Sequence, residues 1–269
     1  MIAPLEPLGS ILAIVVGLLV GSFLNVCIYR LPAGQSVVLP ASRCPRCGAP
    51  VRPWQNVPVA SWLILRARCA SCGAPISWRY PAIEALSGAT VFVLWRAFGP
   101  SAAFAIATAF AWMMIVLFFT DYDHQLLPDA VTLPGFGIGL AAAWFNPFLG
   151  EPGWPRIVAS ATGAALGSGI LWGIGALYAR IRGVEGMGFG DVKMMALVGA
   201  FVGPPGVAFT LFAASVVGAT VGLILIPLKN TTLRHALPFG CFLAPAACAA
   251  LLWGRPALAA YVGYLRLGP

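Results

Sequence analysis

Apolar residues run along this chain in long blocks separated by short polar or glycine-rich breaks, a pattern that predicts helices long enough to cross a bilayer. The first block, Leu8 to Tyr29, contains the small residues Gly17, Gly21 and Ser22, which allow close helix packing. A polar stretch follows, Arg30 to Tyr80. Pro81 to Pro128 is again almost continuously apolar and predicts a helical hairpin with its turn at Gly99–Pro100. Val131 to Phe148 predicts another span, closed by a Pro/Gly loop, and Ile157 to Ala179 the next. A Gly-rich segment, Arg180 to Lys193, breaks the pattern. Met194 to Val202 is too short to cross alone, since a span takes about 20 residues. It either extends back to Phe189 or forms a half-helix ending at Pro204–Pro205. Gly206 to Pro227 predicts a span, and Leu237 to Trp253 with Ala257 to Leu265 predicts the last, broken at Gly254 to Pro256. Seven or eight crossings result.

Composition agrees with this reading. Of 269 residues, 60% are hydrophobic and 9% charged, whereas a soluble domain carries about 25% charged residues. A soluble all-α protein is thereby excluded. The stretch Met1 to Pro7 lacks a basic segment and a small-residue cleavage site, so the first block reads as a retained helix and not a signal peptide. The net charge of +8 suggests nucleic acid in a soluble protein. Here the basic residues lie in loops, where they set topology. With eight crossings and the N-terminus outside, the loop Arg30–Tyr80 is cytoplasmic and carries seven arginines, and Arg180, Arg182, Lys193, Lys229 and Arg234 fall on the same side. Twelve of sixteen basic residues are then inside, and only Arg96, Arg156, Arg255 and Arg266 are outside. The lipid bilayer is therefore the expected partner, with no nucleic acid.

The same loop contains Cys44-Pro-Arg-Cys47 and Cys69-Ala-Ser-Cys72, each pair followed by a glycine, Gly48 or Gly73. Two such knuckles present four thiolates to one tetrahedral zinc. A reducing cytoplasmic location disfavours disulfides. Four cysteines leave no position for water, so the expected Zn2+ is structural and not catalytic. Cys27, Cys241 and Cys248 lie in apolar runs and read as core residues.

The chain has eight acidic residues: Glu6, Glu84, Asp121, Asp123, Asp129, Glu151, Glu185 and Asp191. Carboxylates at membrane depth are costly and by default mark function. Asp121 ends one apolar run, and Asp191, after Gly188-Phe189-Gly190, opens another; the topology puts both at the cytoplasmic face. Singly, Asp129 and Asp191 also suit helix N-caps. As a pair, Asp121 and Asp191 can share a proton, activate water and protonate a leaving amine. Glycines 186, 188 and 190 allow close approach to Asp191. The only histidines, His124 and His235, form no apparent constellation with a serine.

Gly188-Phe-Gly-Asp191 resembles the GxGD pattern of intramembrane aspartyl proteases. Asp121-Tyr-Asp-His-Gln-Leu-Leu-Pro-Asp129 is similar to the first aspartate motif of the type IV prepilin peptidases, and Gly21 to Pro32, the two CxxC pairs and Arg79-Tyr-Pro-Ala-Ile-Glu84 resemble that family in the same order. The resemblance covers roughly residues 10 to 250. It implies a bacterial inner-membrane endopeptidase that removes the basic leader from type IV prepilins or type II secretion pseudopilins on the cytoplasmic side. It also implies N-methylation of the new terminal residue with S-adenosylmethionine. The catalytic pair it implies is Asp121 and Asp191, with Asp123, Asp129, Gly188 and Gly190 near the site; no residue is assignable to methyl transfer. The expected fold is an all-α transmembrane bundle with a zinc-ribbon-like cytoplasmic loop. The expected division is a first helix (1–30), a four-cysteine zinc loop (31–80) and a peptidase domain (81–269). A transporter with a carboxylate-lined ion path is the alternative; a membrane scaffold docking a partner through the zinc loop is a third reading.

Overall fold

The computed structural model describes residues 6–184, 186, 188–229 and 238–266, without the side chains of 6, 226–229 and 266. Of the charged residues and histidines named above, Glu185, Arg234 and His235 lie outside the described residues, as do the side chains of Glu6, Lys229 and Arg266. The described part is helical, with two isolated bridges as its β-structure. Five helices among the described residues are long and apolar enough to cross a membrane. The chain divides into two compact units, residues 1–108 and 109–269.

The first unit contains α1 (Glu6–Arg30), the cysteine loop with its short α2 (Ala60–Ile64), and α3 (Arg79–Phe98). The helices α1 and α3 meet along small residues. A Cβ on Gly17 would fall 2.8 Å from the Gly88 Cα, and one on Gly21 2.8 Å from the Glu84 Cα. Backbones this close bury polar side chains that bond across the seam. Ser87 Oγ donates to the Gly17 carbonyl at 2.6 Å, and Asn25 Nδ2 donates to the Tyr80 carbonyl at 3.1 Å. Glu84 is buried, and its Oε2 accepts the Val59 N–H at 2.7 Å, which ties the cysteine loop to α3. The chain turns at Gly99 (φ 56°), as the Gly99–Pro100 signal predicts.

The boundary between the units falls within α4 (Ala102–His124). The second unit continues with α5 (Asp129–Ala142), α6 (Trp154–Arg182), α7 (Phe189–Lys229) and α8 (Gly240–Arg266). One face of α6, made of Ser160, Gly163, Ala164, Gly167 and Leu171, packs against α7. Ser160 Oγ donates to the Ala200 carbonyl at 2.7 Å within that contact. Large apolar side chains such as Trp172, Ile174 and Leu177 on α6 point outward, as suits helices solvated by lipid.

Two expectations change in detail, and one of two open alternatives is found. The span predicted from Val131 to Phe148 is a shorter helix that starts at Asp129 and gives way to 3-10 turns over Ala143–Phe145 and Pro147–Leu149. The buried Asn146 sits between these turns; its Nδ2 donates to the Phe201 carbonyl at 2.9 Å and its Oδ1 accepts the Phe148 N–H. The segment at Met194 does extend back to Phe189. At 41 residues α7 would be about 61 Å long if straight, twice the bilayer core. Gly203 interrupts it with φ 67° and ψ −178°, just before Pro204, where helical backbone is disfavoured. Finally, α8 runs through the predicted break at Gly254–Pro256. Gly254 is there for contact, since a Cβ on it would lie 2.9 Å from the Gly206 Cα on α7.

Candidate active site

Asp121 lies near the C-terminal end of α4 and is 5% exposed. Its Oδ2 accepts the Cys241 N–H at 3.0 Å, at the start of α8. A carboxylate at a helix N-terminus meets unsatisfied N–H groups and the positive end of the helix dipole. The contact requires a glycine beside it, because a Cβ on Gly240 would sit 2.8 Å from Asp121 Oδ2. Asp191 is the third residue of α7, inside the helix and not its N-cap. Its N–H donates to the Gly188 carbonyl at 3.2 Å.

Both aspartates line one cavity of about 210 Å³. Gly188, Gly190, Asp129 and the segment 125–127 contribute to its wall. Gly190 carries no side chain where Leu127 packs; a Cβ there would lie 3.1 Å from the Leu127 Cβ. The cavity therefore gathers Asp121, Asp129, Gly188, Gly190 and Asp191 from two distant stretches of sequence. Asp123 is exposed on α4 and is not among the lining residues. Asp129 is the first residue of α5, after Pro128 at the cap position. Four lining residues, Gln125, Leu126, Leu127 and Lys193, are absent from the sequence-based site, although Lys193 follows Asp191 by two positions. Cys241, expected only as core, is buried, but its backbone also holds Asp121. The 120-residue separation leaves no local signal for that bond.

The cysteine loop forms a separate centre. Cys44, Cys47, Cys69 and Cys72 bring their sulfurs within 4.8 Å of one another, and Cys44 Sγ lies 3.9 Å from Cys72 Sγ. A tetrahedral site with Zn–S bonds of about 2.3 Å has edges of about 3.8 Å, so the four thiols fit zinc closely. The two knuckles repeat the same hydrogen bonds: Cys44 N to Ala49 O and Gly48 N to Cys44 O, then Cys69 N to Ala74 O and Gly73 N to Cys69 O. Gly48 and Gly73 both adopt φ 70°, the left-handed backbone the turn demands. Backbone N–H groups of Cys47 and Arg46 aimed at the Cys44 thiol lower it to about 6, and those of Cys72 and Ser71 likewise lower the Cys69 thiol. Cys47 moves the other way, up to about 11, because it shares the crowded cluster with the other thiols; two thiols poised to ionise give a metal, which binds thiolate, its first ligands. Metal analysis of the purified chain is expected to find one zinc. A strong chelator should open residues 44–72 to proteolysis while the long helices stay folded, because two bridges, a 3-10 turn at Pro53–Asn56 and the five-residue α2 are the regular structure this loop has.

Comparison with known proteins shows which family the chain belongs to. The family model described as the bacterial peptidase A24 N-terminal domain matches residues 15–98, and that of the type IV leader peptidase family matches residues 108–223. A prepilin leader peptidase/N-methyltransferase from Pseudomonas putida is 40% identical, with 90% of each chain covered. Proteins of the same name from Stutzerimonas stutzeri and Pseudomonas aeruginosa are 38% and 37% identical, over 97% and 96% of each chain. No solved structure matches the chain. The transporter alternative draws no support from these relatives. With relatives this similar along nearly its whole length, and both family models in order, the chain belongs to the type IV leader peptidase family.

Proposed function

We propose that this chain is a membrane aspartyl endopeptidase that cuts the basic leader from type IV prepilins or type II secretion pseudopilins, and that it methylates the new N-terminus with S-adenosylmethionine. The observation that carries the peptidase reading is the convergence of Asp121 and Asp191 on one cavity in a chain of this family. Asp121 and Asp191 are the catalytic pair, and Asp123, Asp129, Gly188 and Gly190 are their neighbours. One aspartate takes a proton from water as its oxygen attacks the scissile carbonyl; the other gives its proton to the departing amine. The chemistry belongs to the part of the chain from 81 to 269, after the first helix (1–30) and the cysteine loop (31–80). The positive-inside rule supports an inner-membrane location with the site and the loop facing the cytoplasm. Zinc on Cys44, Cys47, Cys69 and Cys72 has a structural role, since all four positions are filled by protein. The methyl-transfer reading rests on the names of the relatives, and no side chain is assigned to the methyl donor.

The test is direct. The chain, reconstituted in lipid with a prepilin, is expected to release a single leader peptide, and with S-adenosylmethionine added the product should gain one methyl group at its new N-terminus. An intact prepilin after prolonged incubation, with zinc bound and the chain folded, would refute the peptidase reading; cleavage without methylation would refute only the second half.

A further inference from the structure

Lys193 and Asp129 form an ion pair at the wall of the aspartate cavity. The Lys193 Nζ lies 2.7 Å from Asp129 Oδ1 and 2.8 Å from Oδ2, so the ammonium bridges both carboxylate oxygens. It also sits 5.2 Å from the centre of the Phe189 ring, one helical turn back along α7. Lys193 is 26% exposed and Asp129 56% exposed. Exposed pairs contribute little to folding stability, so stability is a weak reason for fixing two side chains this tightly.

Position offers a better reason. Asp191 stands in the first turn of α7, two residues before Lys193. Asp129 opens α5, and the segment 125–128 joins it to the end of α4, whose Asp121 carbonyl accepts the Gln125 N–H at 2.9 Å. The pair therefore closes a ring that runs from Asp121 through 125–128 and Asp129 to Lys193 and back to Asp191. Beneath the pair, the wall between these segments is the packing of Leu127 over Gly190. A first helical turn is the part most free to fray. Resting on the peptidase reading above, we propose that the Asp129–Lys193 ion pair is a positioning device, which clamps the first turn of α7 to the start of α5 and so holds Asp191 in register with Asp121. Neither residue touches the reacting atoms in this role. The pair acts through the aspartates.

A double-mutant cycle on prepilin cleavage tests this, with Lys193→Met, Asp129→Asn and the double variant assayed alongside the wild-type chain. Each single variant is expected to lower kcat about 10- to 100-fold, the cost of displacing a catalytic group by about 1 Å, with KM within about threefold of wild type. The double variant should be no slower than the slower single one, because both remove the same contact. Lys193→Arg and Asp129→Glu, which keep the charges, should recover most of the loss and also serve if the neutral variants fold poorly. Losses that multiply in the double variant, a loss seen in KM instead of kcat, or unchanged kcat in both single variants would each overturn the proposal. Total loss in Asp129→Asn with near-normal Lys193→Met would do so too, by making Asp129 itself catalytic. Asp191→Asn in the same assay separates the two readings: if it cleaves at the wild-type rate, the catalytic assignment has failed, and the pair has nothing to position.

Discussion

Asp191→Asn and Asp121→Asn should each lower the kcat for prepilin cleavage at least about 10³-fold, in the upper half of what a positioned acid or base contributes. The substitution is conservative in shape but removes the ability to exchange a proton near neutral pH. At position 121 the fold should tolerate it. The Cys241 N–H needs an acceptor, and the asparagine side-chain carbonyl supplies one where the carboxylate Oδ2 stood. At position 191 the carboxylate is separate from the ion pair on the cavity wall, which Asp129 and Lys193 make between themselves. Both variants should therefore bind substrate with a KM close to that of wild type and retain their zinc and their thermal stability in detergent. The assay is leader release from a prepilin in reconstituted membranes, quantified by mass. A transporter or a scaffold would not predict the loss. Either variant cleaving at the wild-type rate would remove that aspartate from the catalytic pair.

The largest effect on stability is expected at Gly199. A Cβ on this residue would fall on the carbonyl group of Gly163 in α6 and 2.7 Å from the Ala164 nitrogen. Reciprocally, a Cβ on Gly163 would lie 2.6 Å from the Gly203 Cα. These atoms are backbone on both sides, so no side chain can swing away, and the two helices must separate. Separation would also strain the bond from Ser160 Oγ to the Ala200 carbonyl. Gly199→Val is therefore expected to cost about 3 kcal/mol or more, at or beyond the usual range for overpacking. Gly169 and Gly173 make the control. They lie on the same helix as Gly163, but a Cβ on either meets nothing within 4 Å. Alanine there should be neutral or stabilise by up to about 1 kcal/mol, the difference in helix propensity. Unfolding in mixed micelles, followed by circular dichroism, distinguishes the two faces. Equal effects at 199 and 169 would mean that the close α6–α7 contact does not govern stability.

These two faces of α6 show where sequence is informative. Apolar block length reveals that α6 is a helix, and its composition says that small residues pack somewhere. It does not say which glycines face a partner, because Gly163, Gly167, Gly169 and Gly173 look alike until α7 is placed. The same ambiguity explains Gly254, which suggests a break and is in fact a close approach to α7. Gly203 is read more readily: a glycine before two prolines leaves helical backbone few options, and a half-helix boundary is expected there. The cysteine loop is legible almost entirely, since both knuckles are local and each carries its own turn glycine. The aspartate cavity is intermediate. The topology argument places the Asp121 and Asp191 segments at one membrane face, and both aspartates do line one cavity. The groups that hold them are not legible. Lys193 looks like one more topology-setting cation, and Cys241 like one more buried thiol, because their roles depend on partners 64 and 120 residues away.

The bond from the Cys241 N–H to Asp121 also fixes an order of events in the making of the protein. A chain threaded into the membrane from its N-terminus presents Asp121 long before α8 has been synthesised. The α1–α3 seam and the cysteine loop can be completed by then, since both lie within the first 108 residues. Asp191 arrives next, with α7, but Asp121 still lacks the helix start that orients it. A ribosome stalled before residue 240 therefore leaves a half-built carboxylate pair in the bilayer, among other newly inserted chains that a finished protease could cut. The helix start that orients the first aspartate comes after both aspartates in the chain, so the site is not assembled until α8 has been made.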